Sequence, residues 1–484
     1  MLPRLQCPLH EHTMSHPLII QGGMGAGVSS WKLARSVSRC GQLGVVSGTA
    51  LDVICARRLQ QGDPDGSLRH ALRQFPIPGM AQRVLDRYFV PGGLSPSEPF
   101  KPVPLSSLQS GAALVELTVI ANYAEVFLAK EGHGGLIGIN FLEKIQLPTL
   151  PSIFGAMLAG VDYVLMGAGI PMEIPGVLDR FSRGESARLR IDVEGAVSGE
   201  DFFCEFDPAA FCGMLPPALR RPQFLAIISS HVLAQALVRK ASGRVDGFVI
   251  EGPTAGGHNA PPRGPLEINP RGEPVYGARD VPDLEKIRAM GLPFWLAGSY
   301  ATPARLAEAL AHGAAGIQVG TAFAFCEESG IAPEIKAQVL EASRHHRIDV
   351  LTDPHASPTG FPFKVVRLAG TVSEPDVHAQ RQRICDLGYL RRAYRKADGT
   401  IGYRCPGEPV EHYLAKGGEL SETVGRKCVC NGLLSTIGLG QIQADDYHEP
   451  PLVTAGDDVK DVSRFLSPGQ NTYSAGDVIR YLLP

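Results

Sequence analysis

Eight short apolar runs, most of them ending in glycine or another small residue, constrain this chain more than any other feature. They are "PLIIQ" (17–21), "LGVVS" (43–47), "LIGIN" (136–140), "VDYVLM" (161–166), "QFLAII" (223–228), "VDGFVI" (245–250), "LPFWLA" (292–297) and "AGIQV" (315–319). Apolarity that is continuous rather than alternating means burial on both faces, the habit of parallel strands covered by helices. Helical text lies between the runs, as in "SWKLARSVSRCG", "HVLAQALVRKASG" and "TPARLAEALAHG". The last opens on Thr-Pro and closes on His-Gly, an N-cap and a C-cap signal. Eight β-then-α units point to an α/β chain folded as a (β/α)8 TIM barrel, and the count favours it over an open doubly wound sheet.

Two segments do not fit the repeat. Residues 51–130 separate the second and third runs with helical text around a Pro-rich loop, "VPGGLSPSEPFKPVP", and are expected to form a helical insertion. Residues 180–222 are also too long for an ordinary connection and read as an excursion near the barrel rim. Past the helical stretch "APEIKAQVLEASRHH" the text turns rich in turns, Pro, Gly and charge. The expected organisation is therefore a barrel over 17–348 and an appended C-terminal extension or lid over 349–484.

Composition narrows the partners. The 484 residues are 44% hydrophobic and 20% charged with a formal charge of -3, enough apolar content for a large core and no basic stripe for tracking phosphates. Nucleic acid is not expected. The N-terminus "MLPRLQCPLHEHTMSH" lacks the apolar core of a signal peptide, and no apolar run is read as reaching membrane-spanning length, so no membrane partner and a cytoplasmic location are expected. Ten cysteines are too sparse for a secreted disulfide scaffold.

In a barrel of this kind the chemistry lies at the C-terminal ends of the strands, with phosphate commonly bound after strands 7 and 8. Those ends read "GGMGAG", "SG", Asn140, "GAG", "SSH", "EGPTAGGH", "GSY" and "VGT". Nearly all are Gly, Ser, Thr or Asn, which leave backbone N–H groups and small hydroxyls open to a flat ring and a phosphate. Carboxylate pairs and metal-ligand clusters are missing from this rim, which disfavours glycosidases and metal hydrolases. Glycines 22, 23, 25 and 27 do not have the dinucleotide-fingerprint spacing.

At "IIQGGMGAGVS" (19–29), "IGIN" (137–140), "EGPTAGGH" (251–258), "LAGSY" (296–300) and "IQVGTAFAFCEES" (317–329), the chain resembles the nitronate monooxygenases, formerly called 2-nitropropane dioxygenases, whose barrel the flavin-dependent enoyl-acyl carrier protein reductases share. The resemblance covers roughly 17–345 and implies an FMN across the barrel mouth. By position it would place Gly22, Gly23 and Met24 against the isoalloxazine, let Asn140 hydrogen-bond the ring, and set Glu251, Gly256 and Gly257 beside it. Gly298, Ser299, Gly320 and Thr321 would hold the phosphate with Gln318 and Val319 alongside, and His258 matches the family's active-site histidine. An imidazole can take or give a proton at neutral pH, as carbon acid chemistry over a flavin requires. Departures exist: "QGGM" (21–24) is closer to the enoyl reductases, and Glu251 stands where Gln is common.

Cys385, Cys405, Cys428 and Cys430 fall in one C-terminal region. Four converging thiolates could hold zinc or an iron–sulfur cluster, although only a C-x-C pair is local; buried or incidental cysteines are the alternative. The resulting expectation is an FMN-dependent oxidoreductase that oxidises alkyl nitronates with O2. The alternative is an enoyl-thioester reductase using NAD(P)H, with an acyl carrier protein as possible partner. A flavin-free barrel that binds a phosphorylated metabolite is the third reading, and a homodimer is possible in each.

Overall fold

A computed structural model describes residues 16–213 and 218–484. The eight apolar runs form eight strands: β1 (Ile19–Gln21), β2 (Gly44–Ser47), β3 (Ile137–Leu142), β4 (Tyr163–Gly167), β5 (Gln223–Ile228), β6 (Gly247–Glu251), β7 (Phe294–Ala297) and β8 (Gly316–Val319). Each pairs in parallel with its neighbour in chain order, and β8 returns to β1 with Ile19 opposite Ile317 and Gln21 opposite Val319. This is the (β/α)8 barrel expected from the sequence. A short parallel bridge, Ile20 to Leu43, completes the ring between β1 and β2. There the fully buried Gln21 side chain extends the ladder, since its Oε1 accepts from Val45 N at 2.9 Å while its Nε2 donates to Ser29 Oγ at 2.9 Å.

The barrel interior is filled by Ile20, Val45, Leu165, Leu225, Val249 and Trp295, one layer of the alternating positions, while the opposite faces of the strands meet the helices in a larger core. Trp295 caps the lower end, donating from its indole N–H to the Pro17 carbonyl at 2.8 Å.

Four helices follow β2: α1 (Trp31–Arg39) precedes that strand, and α2 (Leu51–Gln60), α3 (Ser67–Arg73), α4 (Met80–Tyr88) and α5 (Ala112–Lys130) lie between β2 and β3. One expectation is corrected here. α5 is long and apolar enough to cross a membrane by length and composition, whereas the sequence was read as having no such run. Its apolar residues are buried among the other helices, on the core side of α6 (Thr149–Leu158), so its apolarity is that of a two-sided core helix.

The stretch 180–222 forms an antiparallel pair, Ala187–Ile191 with Phe202–Phe206, and a two-residue strand Val193–Glu194. That short strand pairs with β11 (Arg392–Arg395), itself antiparallel to β12 (Ile401–Arg404). Just past the barrel, β9 (Asp349–Asp353) and β10 (Phe363–Arg367) make another antiparallel hairpin. The C-terminal region thus lies across the open ends of the strands and contributes residues 389–390, 429–433 and 454–458 to the mouth.

The α5–α6 crossing depends on Gly155, where an added Cβ would lie 2.2 Å from the Val119 carbonyl oxygen. A backbone atom cannot be displaced as a flexible side chain can. Gly155→Ala is therefore expected to cost roughly 2 kcal/mol or more, while Gly134→Ala, whose added Cβ meets nothing within 4 Å, should stay within about 0.5 kcal/mol. Denaturant titration of both variants checks this, and equal losses would refute the close-approach account.

Candidate active site

The C-terminal strand ends converge on one cavity, and every predicted ligand position of the barrel lines it: Gly22, Gly23 and Met24 after β1, Asn140 on β3, and Glu251 closing β6. Gly256, Gly257 and His258 follow, with Gly298 and Ser299 after β7, Gln318 and Val319 on β8, then Gly320 and Thr321. Gly23 is needed for packing alone, because an added Cβ would sit 2.3 Å from the Cβ of Asn140. Gly22 and Gly320 are different. Their φ values are not positive, and an added Cβ would meet protein atoms only at 3.6 Å and 3.4 Å respectively, so neither backbone nor protein packing demands glycine there. The space belongs to the cavity.

Two buried acceptors face the same region without partners: Asn140 Oδ1 and Gln318 Oε1 make no hydrogen bond. Buried polar atoms are rarely left so. After β7 the chain takes left-handed φ at Gly298 (96°) and at the non-glycine Ser299 (58°), a conformation that costs energy at serine and clusters at functional sites. Unpartnered acceptors, spare room at two glycines and a strained turn together fit a flat ligand with N–H donors and a phosphate.

The glycines of "AGGH" divide their labour differently from the expectation that both admit a flavin. An added Cβ on Gly256 would approach Ala455 C and Gly456 N to 2.8 Å, whereas Gly257 has φ 80° and nothing within 4 Å. Gly256 makes way for the C-terminal chain, and Gly257 makes the turn. The contact continues on both sides: Gly257 N donates to Thr454 Oγ1 at 3.0 Å, Asp457 N to Thr254 O at 3.0 Å, and Gly456 N to Thr321 Oγ1 at 2.9 Å.

His258 is clamped by β10. It forms an antiparallel bridge with Phe363, whose ring meets the imidazole edge-on at 4.8 Å between centroids. Lys364 N donates to Gly257 O and Asn259 N to Pro362 O, both at 2.9 Å. Nε2 lies 2.7 Å from Ser357 Oγ. Burial, with the Lys144 ammonium adding to it, pushes the imidazole down to about 3, so it is neutral at physiological pH. Burial also lowers Lys144 to about 7, and it raises Glu251 to about 7. A carboxyl raised to about 7 is protonated in about half of the molecules at neutral pH, which eases the conflict between an anionic Glu251 and a reduced flavin.

Residues that sequence reasoning missed come mainly from the appended region: Phe363, Tyr389, Leu390, Val429, Leu433, Thr454, Ala455 and Asp458 also line the cavity. Tyr389 donates from its hydroxyl to the buried Asp52 of α2, tying the extension to the insertion. The only signal for these residues was the change of composition near 349.

The four C-terminal cysteines are corrected. Cys385, Cys405, Cys428 and Cys430 do line one small apolar pocket with Leu387, Leu390 and Val429. Yet among the described residues no group of three or more His, Cys, Asp or Glu side chains is placed to hold a metal ion. Cys385 is hydrogen-bonded to Cys405, and Cys428 Sγ faces the Ile384 carbonyl at 3.8 Å. Burial pushes Cys428 up to about 12 and Cys430 well above the usual thiol range. These are packing thiols, with Cys430 also reaching the main cavity wall.

The family model described as nitronate monooxygenase matches residues 216–356, the half of the barrel that carries Glu251, His258 and the Gln318–Thr321 corner. That family is one of oxidoreductases. No curated protein matches the chain. Among solved structures, FabK from Thermotoga maritima is similar at 15% identity over 97% of this chain and 92% of its own, with a TM-score of 0.45. The nitroalkane oxidase from Streptomyces ansochromogenes is similar at 16% identity over 97% and 96%, with a TM-score of 0.42. The enoyl reductase domain of MlnA from the macrolactin biosynthesis cluster from Bacillus amyloliquefaciens matches at 11% identity over 96% and 94%, with a TM-score of 0.45.

The raised Glu251 has a measurable consequence. Its folded value of about 7 lies above the 4.5 of a free carboxyl, so the stability tied to the protonated form is complete below the unfolded value and is lost as pH rises through about 7. Glu251→Gln should therefore gain on the ligand-free wild type between pH 5 and pH 8, reaching about 3 kcal/mol. Thermal denaturation across that range tests it, and a gap that does not change with pH would contradict the shift.

Proposed function

We propose that this chain, whose residues 216–356 match the nitronate monooxygenase family model, is an FMN-dependent oxidoreductase that oxidises alkyl nitronates with O2. The observation that carries this reading is the placement of His258 on the same chamber as the unpartnered carbonyl oxygens of Asn140 and Gln318. FMN, when bound, supplies a ring that takes electrons from a carbon substrate and passes them to O2. Gly22, Gly23 and Met24 would lie along that ring, Asn140 and Gln318 would accept from its N–H edge, and Gly298, Ser299, Gly320 and Thr321 would hold the phosphate.

The rest of the chemistry belongs to the side chains. A neutral His258 accepts a proton from the carbon beside the nitro group when the uncharged nitroalkane binds, and it need do nothing when the nitronate arrives preformed. Glu251, raised to about 7, adds less negative charge beside an electron-rich ring than an ordinary carboxylate would. Phe141, Leu142, Ile145, Ile227 and Phe363 give the chamber apolar walls, which exclude water from the reacting carbon.

One observation favours the enoyl-thioester reductase instead. The text after the first strand, "QGGM" (21–24), is closer to the enoyl reductases than to the nitronate enzymes, and that reading adds an acyl carrier protein as the partner that delivers the substrate. Anaerobic bleaching of the flavin separates the two readings: propyl-2-nitronate alone should bleach it, whereas bleaching by NADH or NADPH and not by the nitronate would move the assignment to the reductase. The cradle is tested independently. Gly320→Ala should weaken FMN binding at least about tenfold while unfolding within about 1 kcal/mol of wild type; unchanged FMN titration would remove Gly320 from the site.

A further inference from the structure

Among the described residues His258 is the one imidazole that lines the chamber, and its desolvated ring, with Lys144 nearby, disfavours storing a second proton. A base in such a place needs an exit. Its Nε2 lies 2.7 Å from Ser357 Oγ, and Ser357 Oγ lies 2.8 Å from Thr359 Oγ1. Ser357 is completely buried, Thr359 is half-buried, and Gly360 beyond it is exposed. Three groups in line thus run from the chamber wall to the surface, and two of them come from the appended region.

We propose that Ser357 and Thr359 form a proton relay that connects His258 to solvent. The hydrogen bonds permit an alternating arrangement in either direction, because each hydroxyl can donate to the other and either ring tautomer can meet Ser357. Thr359 N donates to Ser357 Oγ at 3.2 Å, and Phe361 N donates to Thr359 Oγ1 at 3.4 Å, so each hydroxyl oxygen keeps one further acceptor site and its own proton. With Nε2–H donating to Ser357, and Ser357 donating to Thr359, Nδ1 carries a free lone pair. Nδ1 has no hydrogen-bond partner among the described residues, and His258 lines the cavity.

The step balances. The C–H bond beside the nitro group breaks, its electron pair stays on the substrate, and the proton forms a bond with Nδ1. The Nε2 proton passes to Ser357 Oγ, the Ser357 proton to Thr359 Oγ1, and the Thr359 proton to water, leaving a neutral imidazole of the opposite tautomer. The starting tautomer returns when Nδ1 gives its proton to the anion that the reaction releases in the chamber and Nε2 takes one back from Ser357, replaced through Thr359 from water, so the proton exported first is balanced by the one taken up. The relay loop is held in register: Arg426 Nη1 donates to the carbonyls of Ser357 and His355 at 2.6 and 2.9 Å, and Ala356 O accepts from Lys427 N at 2.9 Å.

This inference rests on His258 acting as the base of the proposed reaction, and the test separates the two. In the FMN-loaded full-length protein, Ser357→Ala should lower the ratio of neutral-nitroalkane to preformed-nitronate turnover at least about tenfold, since only the former requires proton removal. Ser357→Thr should restore most of that ratio, and the curved proton inventory of the wild type should become linear in Ser357→Ala. An unchanged ratio, or equal loss on both substrates, overturns the relay. A second readout needs no turnover: in protein with 15N-labelled histidine, the His258 signal, assigned by its loss in His258→Gln, should report the Nε2–H tautomer in wild type and a mixture in Ser357→Ala. If neither substrate is oxidised by wild type, the proposed function fails, and the NMR result alone decides the relay, an identical tautomer in both proteins overturning it.

Discussion

The "AGGH" loop keeps its shape because a strand from outside the barrel lies against it. Residues 257–259 exchange backbone hydrogen bonds with 362–364, and the His258–Phe363 bridge fixes which way the imidazole points. A loop of this kind at a barrel mouth ordinarily leaves its backbone to water. Here the partners are supplied by β10, and Thr454, Gly456 and Asp457 complete the cover. Without that cover the imidazole loses both its orienting ring and its Ser357 contact, so the setting of His258 follows from the docking of the appended region.

Enclosure also sets the charge state of the chamber. Glu251 is raised to about 7, Lys144 lowered to about 7 and His258 lowered to about 3, and burial is the largest cause in each case. Acid and bases shift in opposite directions because the low-dielectric surroundings disfavour whichever form is charged. A chamber lined by groups pushed toward neutrality suits an uncharged carbon acid, and hydrogen bonds formed inside it are stronger than in water. The unpartnered oxygens of Asn140 and Gln318 carry the corresponding cost until a ligand donates to them.

The barrel and the ring of residues at its mouth were legible because each strand announces itself locally. Five or six continuous apolar residues ending in a small one are read without knowledge of any distant partner, and a barrel topology then brings Gly22, Asn140, His258 and Thr321 to one rim. The roof was not legible in this way. Ser357 meets His258 across 99 positions and Tyr389 meets Asp52 across 337, and no periodicity encodes such pairs. Two local signals misled. Cys385, Cys405, Cys428 and Cys430 did come together, as convergence suggested, but as protonated thiols around apolar side chains. The helix Ala112–Lys130 was legible as helical text, but its spanning length was not, because its apolarity is interrupted by Glu116, Asn122 and Glu125. Of these, Glu125 is buried and accepts from Trp31 N at 2.9 Å and Arg58 Nη1 at 2.7 Å.

The two additions to the barrel meet each other as well as the site. Arg57 of α2 donates to the Leu439 carbonyl at 2.6 Å, Tyr389 donates to Asp52, and a small recess beside the chamber is lined by Asp52, Asn122, Phe141, Ile145 and Tyr389. The motifs that carry the family resemblance lie on the strands and bound the part of the cavity where a cofactor would rest. The walls that face away from that cradle come from the insertion, the β3–α6 connection and the C-terminal region. The residues that the resemblance marks for the cofactor therefore sit on the barrel strands, while the remaining walls, Ile145 and Tyr389 among them, come from the segments added to it.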